Sequence, residues 1–270
     1  MTLALMFPAI DPVALEIGPF SIRWYALAYV AGLFLGWLYI RYLARRLGGL
    51  LDPRQADDLL VWVTLGVVLG GRLGHVLFYK PGYYVDHPVE IFYVWQGGMS
   101  FHGGLLGVTL ALILFAHRRN VSGFATADLV TCAVPLGLLF GRLANFINGE
   151  LFGRASTVSW AMVFPRGGDV ARHPSQLYEA ALEGLFLFLL LFALSHATRL
   201  GEQPGRLAGV FGIGYGVARI VAELFREPDA HLGFIVAGIT MGQILSLPMV
   251  LVGVWLILRT NAGPRGPARS

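Results

Sequence analysis

The chain has 270 residues, of which 56% are hydrophobic and only 13% charged, and its formal net charge is +4. Soluble domains are about 25% charged and about 45–50% apolar, and a mean hydropathy of +0.66 departs from them in the same direction. These values exclude a disordered chain, a fibrous one and a soluble globular enzyme, and they predict an all-α integral membrane protein.

The single cysteine, Cys132, excludes an internal disulfide and a cysteine-rich metal site. In a chain this apolar, the basic balance reads as arginines facing the cytoplasm and anionic lipid, so the bilayer and not nucleic acid is the expected partner. Met1–Phe20 has no basic segment ahead of its apolar residues and carries Asp11 and Glu16, which reads against a cleaved signal peptide.

Runs long enough to cross a bilayer, about 20 residues each, number about seven. They are Ile22–Tyr42, Leu59–Tyr79, Phe101–Ala116, Thr126–Ile147, Gln176–His196, Leu207–Phe225 and Phe234–Leu258. Arg41, Arg45, Arg46, Arg54, Arg118, Arg119, Arg199, Arg206, Arg259, Arg265 and Arg269 fall on one side of these spans. Arg23, Lys80, Arg154, Arg166, Arg172 and Arg226 fall on the other. The richer side is the cytoplasmic one, so the N-terminus is expected outside and the C-terminus inside.

Residues 1–270 then form one polytopic membrane domain, with 148–175 as a small extracytoplasmic head or lid and 259–270 as a cytoplasmic tail. Within the head, Val158–Phe164 has the pattern of a short strand. Lys80–Gly98, with Tyr83, Tyr84, Tyr93 and Trp95, suits the headgroup layer. An internal repeat of the kind that builds many transporters is not evident.

Three basic residues, Arg72, Arg142 and Arg219, fall inside the spans. A charge in hydrocarbon costs several kcal/mol unless it is paired or wet, so each marks a candidate site. Arg142 and Asn145 share a helix face, and Asn148, Glu150, Gly153 and Arg154 continue past the helix end. Arginine offers a planar fork of donors to phosphate oxygens, and amides can orient a glycerol or ester oxygen. A salt-bridged helix end would also account for these residues.

His102 opens the third span, followed by Gly103, Gly104 and Gly107. It could take a proton from a thiol or hold a phosphate, and the glycines could leave helix N-terminal N–H groups to an anion. A plain interfacial histidine fits the spacing as well. Tyr215, Arg219, Glu223 and Arg226 lie within about 80° of arc on the sixth span, where Arg219 and Glu223 could simply neutralise one another. Gln176, Glu179 and Glu183 share a face of the fifth span, and the two acids are expected as counter-charges for Arg72, Arg142 or Arg219. Asp128 reads as the N-cap of the fourth span, and Cys132 as a small packing residue.

The segment Gly141-Arg142-Leu143-Ala144-Asn145-Phe146-Ile147-Asn148-Gly149-Glu150-Leu151-Phe152-Gly153 resembles the signature of the bacterial prolipoprotein diacylglyceryl transferases. Four further stretches resemble that family in the same order: Gly71–Gly74, Ser100–Gly107, Arg172–Ala180 and Tyr215–Asp229. The resemblance implies transfer of the diacylglyceryl group of phosphatidylglycerol to the lipobox cysteine thiol of a prolipoprotein signal peptide. A thioether and glycerol phosphate would be the products.

On that reading Arg142 and Arg219 hold the phosphate and His102 is the leading candidate base. Tyr25, Asn145, Glu150, Gly153 and Tyr215 contribute to the lipid site, and Arg72, Glu179, Glu183, Glu223 and Arg226 form a supporting charge network. The nucleophile comes from the substrate, so no cofactor or metal is expected, in keeping with the lack of metal-ligand and nucleotide motifs. The alternative from another class is a transporter or channel for an anionic metabolite, its path lined by the arginines. A scaffold whose ion pairs serve assembly alone is a third.

Overall fold

A computed structural model describes residues 5–8, 10–48, 50–228, 233–235 and 238–259. Asp229, residues 236–237 of the last expected span, and the tail from residue 260 onward lie outside the described residues. Among those described, six helices are long and apolar enough to cross a membrane: Trp24–Arg46 (α1), Pro53–Phe78 (α2), Phe101–Arg119 (α4), Gly123–Ile147 (α5), Ser175–Ala197 and Met241–Leu258 (α9). Ser175–Ala197 is continuous but not uniform. It consists of α6 (Ser175–Glu179), a π-helical stretch Ala180–Phe186 and α7 (Leu187–Ala197). The chain is therefore a mostly helical integral membrane protein.

The sixth expected span appears as α8 (Arg206–Ala222), 17 residues long. At 1.5 Å per residue it is about 26 Å, shorter than the roughly 30 Å hydrocarbon core. The chain divides into two compact units, one built from residues 1–40 and 128–266, the other centred on Arg41–Ala127.

In the second unit, α2 begins six residues before the expected Leu59. Asp52 and Gln55 form a reciprocal capping box (2.8 and 3.0 Å) with Pro53 in the first turn. α2 packs on α4 through small residues. A Cβ at Gly74 would sit 2.7 Å from Gly103 Cα, and Cβ atoms at Gly70 and Gly107 would clash with the carbonyl oxygens of Gly103 and Gly66. Only glycine permits this approach, which replaces the hydrophobic effect as the source of helix association in lipid.

The link between them is a short helix α3 (Pro81–Asp86) and two 3-10 turns, Pro88–Phe92 and Val94–Gln96. Val85, Phe92 and Trp95 in this link are among the most exposed apolar side chains.

In the first unit, a hairpin of β2 (Val13–Ile17) and β3 (Phe20–Arg23) precedes α1, where the sequence pattern pointed only to the start of a span. β1 (Leu5–Met6), β4 (Met162–Val163) and β5 (Ala171–Arg172) form a small sheet, with β1 parallel and β5 antiparallel to β4. β4 falls within the expected strand Val158–Phe164.

α8 and α9 meet through Gly209 and Gly253, where a Cβ on Gly253 would lie 2.6 Å from Gly209 O. α9 starts at Met241, later than the expected Phe234, because Thr240 and Gln243 build a capping box there. Asp128 does not cap its own helix. It lies inside α5, fully buried, and its two oxygens accept from Gly205 N and Ala208 N at 2.8 Å each. α8's own N-cap, Gly205, has no side chain to offer, so a carboxylate from another helix satisfies its orphan donors.

Candidate active site

The first unit brings three arginines and three glutamates together in its interior. Arg142 comes from the last turns of α5 and Glu179 from the end of α6. Glu183 lies in the π-helical stretch, Arg219 is in the last turn of α8, Glu223 is its C-cap, and Arg226 follows it. The wider π-helical winding, a feature that recurs at functional sites, was not visible in the apolar pattern. Gly184 lets that stretch close on α5, since a Cβ there would meet Leu139 Cα at 2.7 Å. Leu139 is one turn below Arg142, so this close approach delivers Glu183 to Arg142.

Glu179 is the hub. Its Oε2 lies 2.8 Å from Arg219 Nη1, 3.0 Å from Arg142 Nη2 and 3.5 Å from Arg226 Nη1. Its Oε1 is buried and has no hydrogen-bond partner among the described residues, so all three guanidiniums draw on one oxygen. Glu183 bridges the same two arginines, at 3.4 Å from Arg142 Nη2 and 3.3 Å from Arg219 Nη1. Glu223 Oε1 holds Arg219 Nη2 at 2.6 Å. The i,i+4 neutralisation of Arg219 by Glu223 and the wider charge network are therefore both present.

Among the described residues the cluster sets three arginines against three glutamates, the mutual compensation that a low-dielectric interior favours. Among the described residues, both ion pairs of Arg142 run from Nη2. Tyr215 stacks on Phe211 (5.8 Å between centroids) and feels the charges of Glu183, Arg219 and Arg142.

A second group adjoins the end of α5. Glu150 Oε1 accepts from Asn145 Nδ2 (2.9 Å) and Asn148 Nδ2 (3.2 Å), and Gln176 Nε2 donates to the Glu150 carbonyl at 2.6 Å. The Tyr25 hydroxyl bonds to the Tyr29 hydroxyl (3.3 Å) and interacts with Asn145 and Glu150.

The chain turns back through Gly153, whose N–H donates to His173 O at 2.8 Å. A Cβ there would lie 2.8 Å from both His173 O and His173 Cβ and would also clash with Phe225 O. The space that glycine provides is filled by the protein's own backbone. Arg226 is not on the α8 stripe. The helix stops at Ala222, and Arg226 instead pairs with Gly153 as a β-bridge, from which its guanidinium reaches Glu179.

Arg154 and Arg172, unassigned from the sequence, brace this turn. Arg154 donates to the carbonyls of Arg226 (2.9 Å) and Glu223 (3.0 Å), and Arg172 pairs with Glu227 at 3.1 Å. His173 Nδ1 meets the Tyr178 hydroxyl at 3.1 Å. Burial lowers its pKa below the ordinary histidine value.

Arg72 and His102 belong to the second unit. The expected glutamate counter-charge for Arg72 is not what its hydrogen bonds show. The guanidinium donates to four backbone carbonyls, those of Glu90 (2.5 Å), Gly97 (2.6 Å), Ile91 (2.8 Å) and Gly98 (3.3 Å), and it lies over the Tyr84 ring. Carbonyl dipoles converging on a cation can replace a counter-ion, and the link between α2 and α4 supplies them at no charge cost.

His102 sits exposed in the first turn of α4, edge-on to Phe101 at 5.7 Å. The expected anion cradle at Gly103 and Gly104 is taken by the chain itself. Gly103 N donates to Ser100 Oγ (3.2 Å) and Gly104 N to Ser100 O (2.9 Å), while Gly103 and Gly107 are spent on packing against α2.

The family model described as prolipoprotein diacylglyceryl transferase matches residues 12–259. Among curated relatives, the phosphatidylglycerol–prolipoprotein diacylglyceryl transferase of Paramagnetospirillum magneticum is 61% identical over 258 residues, covering 95% of this chain and 96% of that protein. The Rhodospirillum rubrum protein of the same name is 60% identical over 256 residues, with 94% and 93% covered. That of Azospirillum brasilense is 56% identical over 264 residues, with 97% and 98% covered. The transporter alternative finds no support in these relatives. With similarity along nearly its whole length and an interior arginine cluster built from the expected motifs, the chain belongs to the prolipoprotein diacylglyceryl transferase family.

Proposed function

We propose that this enzyme moves the diacylglyceryl group of phosphatidylglycerol to the lipobox cysteine of a prolipoprotein, and that the cluster around Glu179 is where it holds the lipid phosphate. The cysteine sulfur attacks the sn-3 carbon of the lipid, a C–S bond forms and the C–O bond to phosphate breaks. Glycerol phosphate leaves with the electron pair. The thiol proton is taken by a base, for which His102 is the candidate, since a thiol of reference pKa about 8.5 gains nucleophilicity only as thiolate.

Arg142 and Arg219 stabilise the charge that grows on the departing phosphate. Guanidiniums already fixed by carboxylates need little reorganisation, and their contribution is larger in a water-poor interior. Asn145, Glu150, Tyr25 and Tyr215 orient the glycerol and phosphate oxygens, and Gly153 sets the turn that carries Glu150. Glu179, Glu183, Glu223 and Arg226 hold the clamp in shape, and Arg72 holds the link ahead of His102. The observation that carries this reading is the pairing of Arg142 and Arg219 through one buried carboxylate oxygen of Glu179.

The same reading places the protein in the bacterial cytoplasmic (inner) membrane with N-terminus outside and C-terminus inside. α8 completes seven crossings and 148–175 forms the extracytoplasmic head. The asymmetry of basic residues supports this. The test is incubation of the purified protein with phosphatidylglycerol and a lipobox peptide, followed by mass analysis. A peptide heavier by one diacylglyceryl group, with glycerol phosphate released, is the expected result. An unmodified peptide with a folded enzyme overturns the proposal.

A further inference from the structure

Glu223 does more than face Arg219. Its Oε2 accepts a hydrogen bond from Thr240 Oγ1 at 2.8 Å, while Oε1 takes Arg219 Nη2 at 2.6 Å. Thr240 is also the N-cap of α9. Its hydroxyl oxygen accepts from Gln243 N at 3.4 Å, and Thr240 N donates to Gln243 Oε1 at 3.1 Å. A threonine hydroxyl has one proton and two lone pairs. A backbone N–H can only donate and a carboxylate oxygen can only accept, so the proton of Thr240 is directed at Glu223.

The next turn closes the arrangement. A Cβ built on Gly242 would lie 2.7 Å from Glu223 Cδ and 3.1 Å from Cγ, and would clash with Oε1 as well. The carboxylate therefore lies flat on the first turn of α9, an 18-residue helix whose N-terminal dipole favours an anion.

We infer that Thr240 and Gly242 are positioning residues for the phosphate clamp: they hold the Glu223 carboxylate against Arg219 Nη2 and so fix the plane of that guanidinium. Arg219 is gripped at Nη1 by Glu179 and Glu183 and at Nη2 by Glu223. Two anchors on different nitrogens define a plane where one would leave a hinge. This inference rests on the reading of Arg219 as a phosphate ligand.

The test compares Gly242→Ala, Thr240→Val and Thr240→Ser with wild type, measuring kcat and KM for phosphatidylglycerol in mixed micelles and for a lipobox peptide. Gly242→Ala leaves the Thr240–Gln243 cap intact while its Cβ displaces Glu223, so a purely structural role predicts a lower Tm with lipid kinetics unchanged in the folded enzyme. The inference predicts a fall in kcat/KM for the lipid, on the order of 10–100-fold, the scale of a misplaced catalytic group. The peptide KM stays unchanged.

Thr240→Val gives a similar loss, Thr240→Ser restores transfer, and Thr240→Val adds nothing further in a Glu223→Gln background. Wild-type lipid kinetics in Gly242→Ala and Thr240→Val, with Arg219→Ala inactive, overturn this inference alone. Wild-type transfer by Arg219→Ala removes the clamp and this inference with it.

Discussion

Replacing Glu179 with glutamine removes one negative charge from the centre of the cluster and conserves the shape of the side chain. Arg219, Arg142 and Arg226, which share Glu179 Oε2 at 2.8, 3.0 and 3.5 Å, then face at best a neutral amide oxygen in its place. Arg142 keeps Glu183, and Arg219 keeps Glu183 and Glu223, so the cluster is left one negative charge poorer. Removing one partner of a buried ion pair costs about 3–5 kcal/mol. The arginine side chains are 11–17% exposed, and Arg142 and Arg219 each keep their contact to Glu183, which places the loss near the lower end, about 3 kcal/mol. For a chain of this size each kcal/mol moves the Tm by about 2–4 °C, so a fall of about 6–12 °C is expected. Thermal unfolding in detergent, followed by tryptophan fluorescence and paired with initial transfer rates, reads both consequences. Wild-type melting and wild-type transfer in Glu179→Gln would refute the hub.

Arg142→Ala and Arg219→Ala, inserted stably in membranes, should each lose about 100–1000-fold in transfer, as when an oxyanion donor is removed; rates within a few-fold of wild type would end the clamp reading. Cys132 is fully buried within α5, and Cys132→Ala should retain transfer to the peptide; an inactive but folded variant would overturn a substrate-borne nucleophile. Asp128→Ala leaves the donors of Gly205 and Ala208 without their carboxylate and should cost about 1–3 kcal/mol, read as a lower Tm with hydrogen exchange accelerated at the start of α8; protection equal to wild type would contradict the capping role. Burial holds the His173 pKa below its ordinary value, so the folded state prefers the neutral ring. The unfolded chain binds more protons as pH falls through about 6.5, and stability is lost in that direction. The Tm of wild type should therefore drop between about pH 7 and 5.5 by more than that of His173→Gln, and identical pH profiles would refute the assignment.

Much of the site was legible because its residues are chemically conspicuous. Charges inside apolar runs must be paired, so Arg142, Arg219, Glu179, Glu183 and Glu223 stood out from the sequence as one class, and the glycines between them suggested close packing. Their grouping follows from that necessity. Boundaries were less legible, although the Asp52–Gln55 and Thr240–Gln243 boxes were present as local signals at the starts of α2 and α9. The β2–β3 hairpin was missed because Val13–Ile17 and Phe20–Arg23 are as apolar as the span they precede.

By itself the sequence determined the membrane class, the approximate placement of the helices and the short roster of side chains able to carry charge inside them. Only the tertiary structure decided the partners: Glu179 Oε2 shared by three arginines, Asp128 capping α8 and not α5, Arg72 spent on carbonyls, and Thr240 turned toward Glu223. The physical reason lies in the solvent. In water a helix advertises its packed face by an apolar stripe, but in lipid every face is apolar. Which helices meet is then set by glycine-to-glycine contact and by the pairing of buried polar groups, and a linear pattern of hydropathy records neither.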